Sequence, residues 1–401
     1  MTHRRVVHVV DSLAATGGAE LRLVEEVEAL GGRFEQRVVR LYGRDELQSR
    51  VEAAGVPVAA LGFAGAHAGR TWPVAAYRLR AVLADWPPDI VHTTLFSGNL
   101  VGQLAAASRR VPVVSSFNRT GDIELQRALQ PGVAGWKGRT MQAVARHAAR
   151  LGNVHFRAVS AHARDSNCRL FDVPTERVTV VPRGVDVVVP EPVPTLVQLG
   201  LPDTRPLFVN AARIVPEKAQ HLLVDAFAVV RAAIPTAQLV IAGAAGSAEP
   251  AVREAIAAHG LEASVRMLGW RADIHGLVAA ADVFAFSSLS EGSPSAVLEA
   301  LALGTPVVAF AIAPVVEVTG GHAVLVPPGS VRELATAMVA TARSTDRARD
   351  VAAGRAWASR FTVAAVAEQL GDLLESRIGT GRPPRRESAP GPATGSASGP
   401  S

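Results

Sequence analysis

Residues 282–310 read DVFAFSSLSEGSPSAVLEALALGTPVVAF, and the order of residue types along them sets the architecture. The apolar run over 282–287, bounded by polar residues, suits a buried strand. A loop of Ser, Glu and Gly follows. Ser293 reads as an N-cap with Pro294 at the first helical position, where a missing N–H costs nothing. Helical residues continue to about Leu303, where Gly304 stops them, and 306–310 reads as the next strand. Strand, loop, helix and strand in this order make a unit of a parallel α/β sheet, which binds ligands at the carboxyl ends of its strands. Glu291 falls at such an end. Glu299 lies eight positions on, about a turn and a half into the helix.

The same rhythm extends in both directions. In the second half, strands are expected at 207–211, 238–243 and 264–268, besides 282–287 and 306–310. In the first half they are expected at 5–11, 36–41, 89–93, 111–116 and 156–160. Helical patterns lie between them, as in 20–30, where Leu21, Val24, Val27 and Leu30 recur at helical spacing. Residues 181–206 carry six prolines, at 182, 190, 192, 194, 202 and 206, and proline breaks helices and central strands. The chain therefore reads as α/β, with two doubly wound Rossmann-like domains facing a cleft. The expected bounds are 1–186 for the first domain, 187–205 for the linker and 206–362 for the second domain. A C-terminal helix over 363–378 is expected to pack back toward the first domain. Residues 379–401, rich in Gly, Pro and Ser, bury too little to order themselves and read as a disordered tail.

The loop at 288–294 offers backbone N–H groups at a helix N-terminus, which suit phosphate oxygens. Glu291 and Glu299 are acceptor-only groups that suit a ligand with many hydroxyls. A nucleoside diphosphate sugar has both parts. Two further stretches follow first strands of their domains. One is NAARIVPEKAQ at 210–220, with Arg213 and with Lys218, one of two lysines in the chain beside Lys137. The other is DSLAATGGAE at 11–20, where Gly17 and Gly18 permit a tight turn and close approach to a ligand.

The run EGSPSAVLEALALGTP from Glu291 to Pro306 resembles the hallmark of the retaining GT-B glycosyltransferases of family 4 (group 1): a Glu, seven residues and a second Glu, in the form E-G-x-P-x-x-x-x-E-A-x-A-x-G-x-P. The resemblance extends to about residue 375. It implies that Glu299 binds the donor ribose and that Glu291 contacts hydroxyls of the transferred sugar, with Gly292 and Ser293 beside them. It also implies that Arg213 and Lys218 clamp the donor diphosphate and stabilise the leaving group's charge. The GGAE loop, Gly17 and Gly18 included, is implied to face the cleft. Glu291, Arg213, Lys218 and Asn118 are the expected catalytic set. Family members often carry a histidine where this chain has Asn118 or Arg119, neither a normal general base. Retaining enzymes of this architecture are thought to react on one face of the sugar, the departing phosphate taking the acceptor proton. Asn118 could then orient a sugar hydroxyl, and Arg119 could hold an anionic acceptor. His92 matches a family position and also reads as a structural histidine. Arg183 stands where the family often has Asn. Glu317 falls near a family glutamate, without the glycines that usually precede it. Trp270 or Arg271 could flank the nucleotide base, and packing accounts for Trp270 equally well.

Composition limits the alternatives. With 48% hydrophobic and 19% charged residues the chain is globular, and no run approaches the ~20 apolar residues of a spanning helix. A cytoplasmic protein is expected. Cys168 is the single cysteine, which leaves no disulfide framework and no thiolate metal site. No cofactor or metal is expected, the nucleotide sugar being a co-substrate, and no aspartate-rich metal motif stands out. The net charge of +5 divides into 24 Lys+Arg against 17 Asp+Glu over 1–190 and 17 against 19 over the remainder. A basic first half could meet an anionic acceptor or a membrane surface. The stretch 127–150, with Trp136, Lys137, Arg139, Arg146 and His147, fits either a solvated helix or a peripheral membrane contact at the cytoplasmic face. Nucleic acid is not expected, because no basic stretch alternates with aromatics. Hydride transfer is disfavoured by the lack of G-x-G-x-x-G at 14–19. Hexosyl transfer to a hydroxyl of a glycan, glycolipid or small molecule is the leading reading. A nucleotide-sugar 2-epimerase and a non-catalytic sugar-nucleotide-binding partner subunit are the alternatives.

Overall fold

Val-rich runs become strands buried on both faces, as parallel sheets require. From Val6 onward, β1 (Arg4–Val10) has essentially no exposed surface. The computed structural model describes residues 4–15, 18–63, 71–121, 136–150, 153–189, 195–345 and 348–379. In its first half β1 is joined by β2 (Phe34–Tyr42), β3 (Val58–Phe63), β4 (Ile90–Thr94), β5 (Val113–Phe117), β6 (Val154–Ala158) and β7 (Val178–Val180). They form one sheet in the order β3-β2-β1-β4-β5-β6-β7, all pairs parallel. The second half holds β8 (Leu207–Ala211), β9 (Gln238–Ala242), β10 (Val265–Gly269), β11 (Val283–Phe286), β12 (Val307–Phe310) and β13 (Val324–Val326). Their order is β10-β9-β8-β11-β12-β13, again all parallel.

Each sheet is wound in both directions from its middle. The order reverses between β1 and β4 in the first and between β8 and β11 in the second. At such a switch the loops on either side part and leave a crevice beyond the carboxyl ends. These are two doubly wound Rossmann-like domains, as expected.

Several local expectations are corrected. Ser293 is not an N-cap. The helix runs Ser295–Leu303, and Pro294 before it has ψ of 82° and gives no side-chain cap. The loop is held out of helical geometry by the first domain, because Ser160 Oγ donates to Gly292 O at 2.7 Å. Ser160 itself ends no strand. It caps the helix Ala161–Phe171, accepting from Ala163 N. Asp282 lies outside β11 and accepts from Leu207 N at 2.7 Å, while Ser287 and Ser288 turn their hydroxyls onto a neighbouring loop. The edge strands β3 and β13 add to the strands expected.

Two chain crossings join the halves at one point. Val185 N donates to Phe361 O at 2.8 Å, and a Cβ on Gly184 would lie 2.6 Å from Val363 Cα. Beyond the first crossing, Leu196, Leu199 and Leu201 pack with Val209, Phe284 and Leu298 of the second half. Beyond the other, the helix Val363–Arg377 buries Val366, Leu370 and Leu374 with Val6, Ile90 and Val114 of the first sheet. Arg33 adds ion pairs to Glu368, Asp372 and Glu375 of that helix. Among the described residues, no helix is long and apolar enough to cross a membrane. The expected tail lies, past Gly379, outside the described residues.

Candidate active site in the cleft between the two sheets

The carboxyl ends of both sheets open onto one cavity of about 750 Å³, a size suited to a nucleotide-sized ligand. From the second half, Arg213, Lys218, Glu291, Gly292, Ser293 and Glu299 line it; from the first, Gly18, Asn118 and Arg119. Gly17 lies outside the described residues. The sequence-predicted site residues that can be placed are thus brought together around one cavity, from both halves.

Arg213 and Lys218 follow β8, and Glu291 follows β11, so they flank the switch of the second sheet. The two loops are tied to each other. Ser287 Oγ donates to Lys218 O at 2.9 Å, Ser288 Oγ to Glu217 O at 3.1 Å, and Leu289 N to Glu217 O at 2.8 Å. Lys218 Nζ pairs with Glu291 and stands 5.9 Å from the centre of the Phe286 ring. Gly243 lets the loops close, since a Cβ there would meet Ala212 O at 1.9 Å. The result is a cleft wall fixed within one domain, with charged groups already oriented.

Glu299 points from the first turns of its helix into the cleft. Arg22 Nη2 reaches it from the first helix, Gly18–Ala29, at 2.7 Å, and His275 Nε2 stands 3.7 Å away. Burial pushes the Glu299 carboxyl up, but His275 and Arg22 outweigh it and hold it below the usual range. The bond to Glu299 in turn raises the His275 pKa against the effect of burial. The carboxylate is therefore kept ionised and ready to accept hydroxyl protons.

The first domain approaches closely. A Cβ on Gly292 would sit 2.2 Å from Asn118 O, so only glycine permits this contact. Asn118 Nδ2 is buried without a hydrogen-bond partner. Arg119 Nη2 bonds Glu217 Oε1 at 3.0 Å across the cleft. Glu20, in the first turn of its helix, also lines the cavity, and burial raises its pKa.

Other positions singled out by the sequence divide. Trp270 and Arg271 line the cavity; Trp270 is 58% exposed, and Arg271 is held by Asp273 at 2.6 and 2.7 Å. His92 does not line it. It is buried inside the first sheet between His8, Nδ1 to Nδ1 at 3.1 Å, and Ser116 Oγ at 3.0 Å, a structural histidine. Glu317 accepts from Ala161 N at 2.8 and 2.9 Å, sealing the domain contact away from the cavity. Glu20 belongs to the GGAE loop expected to face the cleft, whereas sequence reasoning missed Arg22 and Glu217. Nothing in their local pattern separates them from ordinary helix-surface charges. Among the described residues, no group of three His, Cys, Asp or Glu side chains is placed to hold a metal ion.

Known proteins match this layout. Residues 17–184 match the family described as Glycosyl transferase 4-like domain, and residues 195–352 match Glycosyl transferases group 1. The chain is 32% identical over 242 residues to the D-inositol 3-phosphate glycosyltransferase of Xylanimonas cellulosilytica, covering 56% of each chain. It is 37% identical over 144 residues to the GDP-mannose-dependent monoacylated alpha-(1-6)-phosphatidylinositol monomannoside mannosyltransferase of Corynebacterium glutamicum, covering 32% of this chain and 37% of that one. The matches thus span about half the length of such curated relatives, or less. The structure of Anabaena Alr3699/HepE in complex with UDP and glucose superposes with a TM-score of 0.77 at 25% identity, over 93% of this chain and 100% of that one. With both halves matched, the sheets in this order and the cleft between them, the chain belongs to the GT-B glycosyltransferases of family 4, group 1.

Proposed function

We propose that this cleft moves a hexosyl group from a nucleoside diphosphate sugar to a hydroxyl acceptor with retention of anomeric configuration. The observation that carries the reading is the convergence of Arg213, Lys218, Glu291 and Glu299 on one cavity at the switch of the second sheet. Glu299 accepts the ribose hydroxyls. Arg213 and Lys218 meet the diphosphate, and Glu291 exchanges its Lys218 partner for sugar hydroxyls. In the reaction the bond from the anomeric carbon to the diphosphate oxygen breaks, its electron pair staying on that oxygen. The acceptor oxygen bonds to the anomeric carbon from the same face, and its proton passes to the departing phosphate. Side-chain cations matched to that developing charge supply the rate enhancement without a metal. Asn118 Nδ2 donates to a hydroxyl of the sugar in flight, and Trp270 offers its face to the base.

The UDP and glucose bound to the Anabaena protein and the GDP-mannose named for the Corynebacterium relative make UDP- and GDP-hexoses the first donors to try. An acceptor carried on a membrane lipid fits the exposed Arg146, His147 and Arg150 of the helix Trp136–Arg150, and co-flotation with anionic vesicles tests that contact. The central test is incubation with donor and a hydroxyl-acceptor panel, followed by NMR of the product's anomeric configuration. Retained product is expected; an inverted one sinks the mechanism. Donor alone should stay unchanged, since an epimerised nucleotide sugar would identify an isomerase. Nucleotide binding without release on any acceptor would identify a partner subunit.

A further inference from the structure

Six cationic side chains among the described residues line the cleft against four acidic ones. Four of the cations have acidic partners: Arg22 with Glu25 and Glu299, Arg119 with Glu217, Lys218 with Glu291 and Arg271 with Asp273. Among the described residues, Arg183 and Arg213 have no hydrogen bond or ion pair through their side chains. Arg213 belongs to the second half's wall. Arg183 does not: it stands on the first crossing between the domains, beyond β7.

Its backbone is fixed from below by Gly184, packed on Val363, and by the bond from Val185 N to Phe361 O. Its guanidinium reaches the start of the first helix. A Cβ on Gly18 would lie 3.8 Å from Arg183 Nη1, where unsatisfied N–H groups already concentrate positive charge. Burial, with Arg22 and Arg157 nearby, pulls the Arg183 pKa down to about 10 despite Glu26 and Glu291. A cation so placed is short of negative charge. Arg183 and Arg213 are both close enough to Glu20 to favour its ionised form, so the two guanidiniums share one neighbourhood.

We propose that Arg183 and Arg213 grip the same diphosphate from the two sides of the cleft, making Arg183 the first-domain half of the leaving-group site. This rests on the reading of the cleft as a nucleotide-sugar site and adds to it a binding residue outside the donor domain. A guanidinium presents a planar fork to phosphate oxygens. The donor's diphosphate then becomes the bridge that holds the domains together, and its departure releases them.

The test is calorimetric titration of the full chain with UDP and GDP, and with uridine and guanosine. Wild type, Arg183→Asn, Arg183→Lys and Lys218→Ala are compared. Whichever diphosphate the wild type binds, R183N should bind it at least about tenfold more weakly, the loss of one charged hydrogen-bond contact, while its nucleoside affinity stays unchanged. Wild-type diphosphate affinity in R183N overturns the proposal and leaves the acceptor as the anion Arg183 serves. Should R183N fail to fold, R183K carries the comparison: it keeps the charge and loses the fork, so a loss of about threefold or more is expected, and none overturns the proposal. If the wild type binds neither diphosphate, or K218A binds as tightly as wild type, the reading of the cleft itself falls, a result distinct from normal affinity in R183N alone.

Discussion

In the first sheet the strands beside the switch point meet through polar side chains, whereas in the second they meet through apolar ones, Phe208 opposite Val283 and Phe284 opposite Val209. His8 on β1 faces His92 on β4, and the row continues outward to Gln36 at 3.0 Å and Ser116 at 3.0 Å. In the second sheet Phe208, Phe284 and Phe310 are fully buried on β8, β11 and β12. The cleft walls differ as well. The second half's loops are braced within their own domain by Ser287, Ser288 and Leu289. The first half is held by bonds across the cleft, from Arg22 to Glu299, from Arg119 to Glu217 and from Ser160 to Gly292. A shared plan therefore builds two kinds of wall: one is braced within its own domain, and the other is tied to its partner across the cleft.

The largest effect should come from the braced wall. Lys218→Ala removes a charge whose loop is held by other bonds, so turnover should fall about 10²–10³-fold with little change in melting temperature. Glu299→Ala should act in the same direction. Wild-type turnover in either variant, or collapse of the fold, breaks the contrast between the walls.

The polar row makes the first half acid-sensitive. Burial lowers His8 to about 4 from 6.5, and His92 is also pushed well down by burial and by His8. The unfolded chain takes up those protons first, so the stability present above the ordinary value is lost as pH falls from about 6.5 toward 4. For His8 alone this is about 3 kcal/mol. His275 in the second half has the opposite sign: its raised pKa gives stability present below the ordinary value and lost as pH rises through the folded one. Hydrogen exchange at about pH 5 and about pH 7.5 should show protection in β1 and β4 falling at the lower pH relative to β8 and β11. Equal changes in both sheets would erase the distinction.

Smaller effects sharpen it. Gly243→Ala forces a methyl onto Ala212 O and should cost about 1–3 kcal/mol, read by thermal denaturation. Arg119→Ala removes an ion pair whose arginine is 67% exposed. It should cost at most about 1 kcal/mol, with its effect on turnover confined to acceptor KM.

Sequence carried the second half further than the first. Strand β8 falls on the expected residues 207–211, and the apolar run and Gly304 bracket the helix Ser295–Leu303, because period and stop residues are local signals. Arg213, Lys218 and Glu291 were legible because each lies in a loop after a strand, and Glu299 because it sits eight positions beyond Glu291 on the helix that follows. Ser293 misled because its loop conformation is dictated by Ser160 and Asn118, far away in sequence. The edge strands β3 and β13 escaped because they are partly exposed, with burial patterns that carry no clean alternation. Arg22 escaped for a related reason: its partner Glu299 is 277 positions away, and only the contact between the domains makes the two neighbours.

The helix Val363–Arg377 also bears on how the molecule is made. Val6, Ile90 and Val114 keep an uncovered apolar face until Leu370 and Leu374 settle on it. A ribosome therefore finishes the second domain before it releases the piece that seals the first. The half synthesised earliest is completed last, and in the interval its sheet is the surface chaperones would hold and stray chains would stick to.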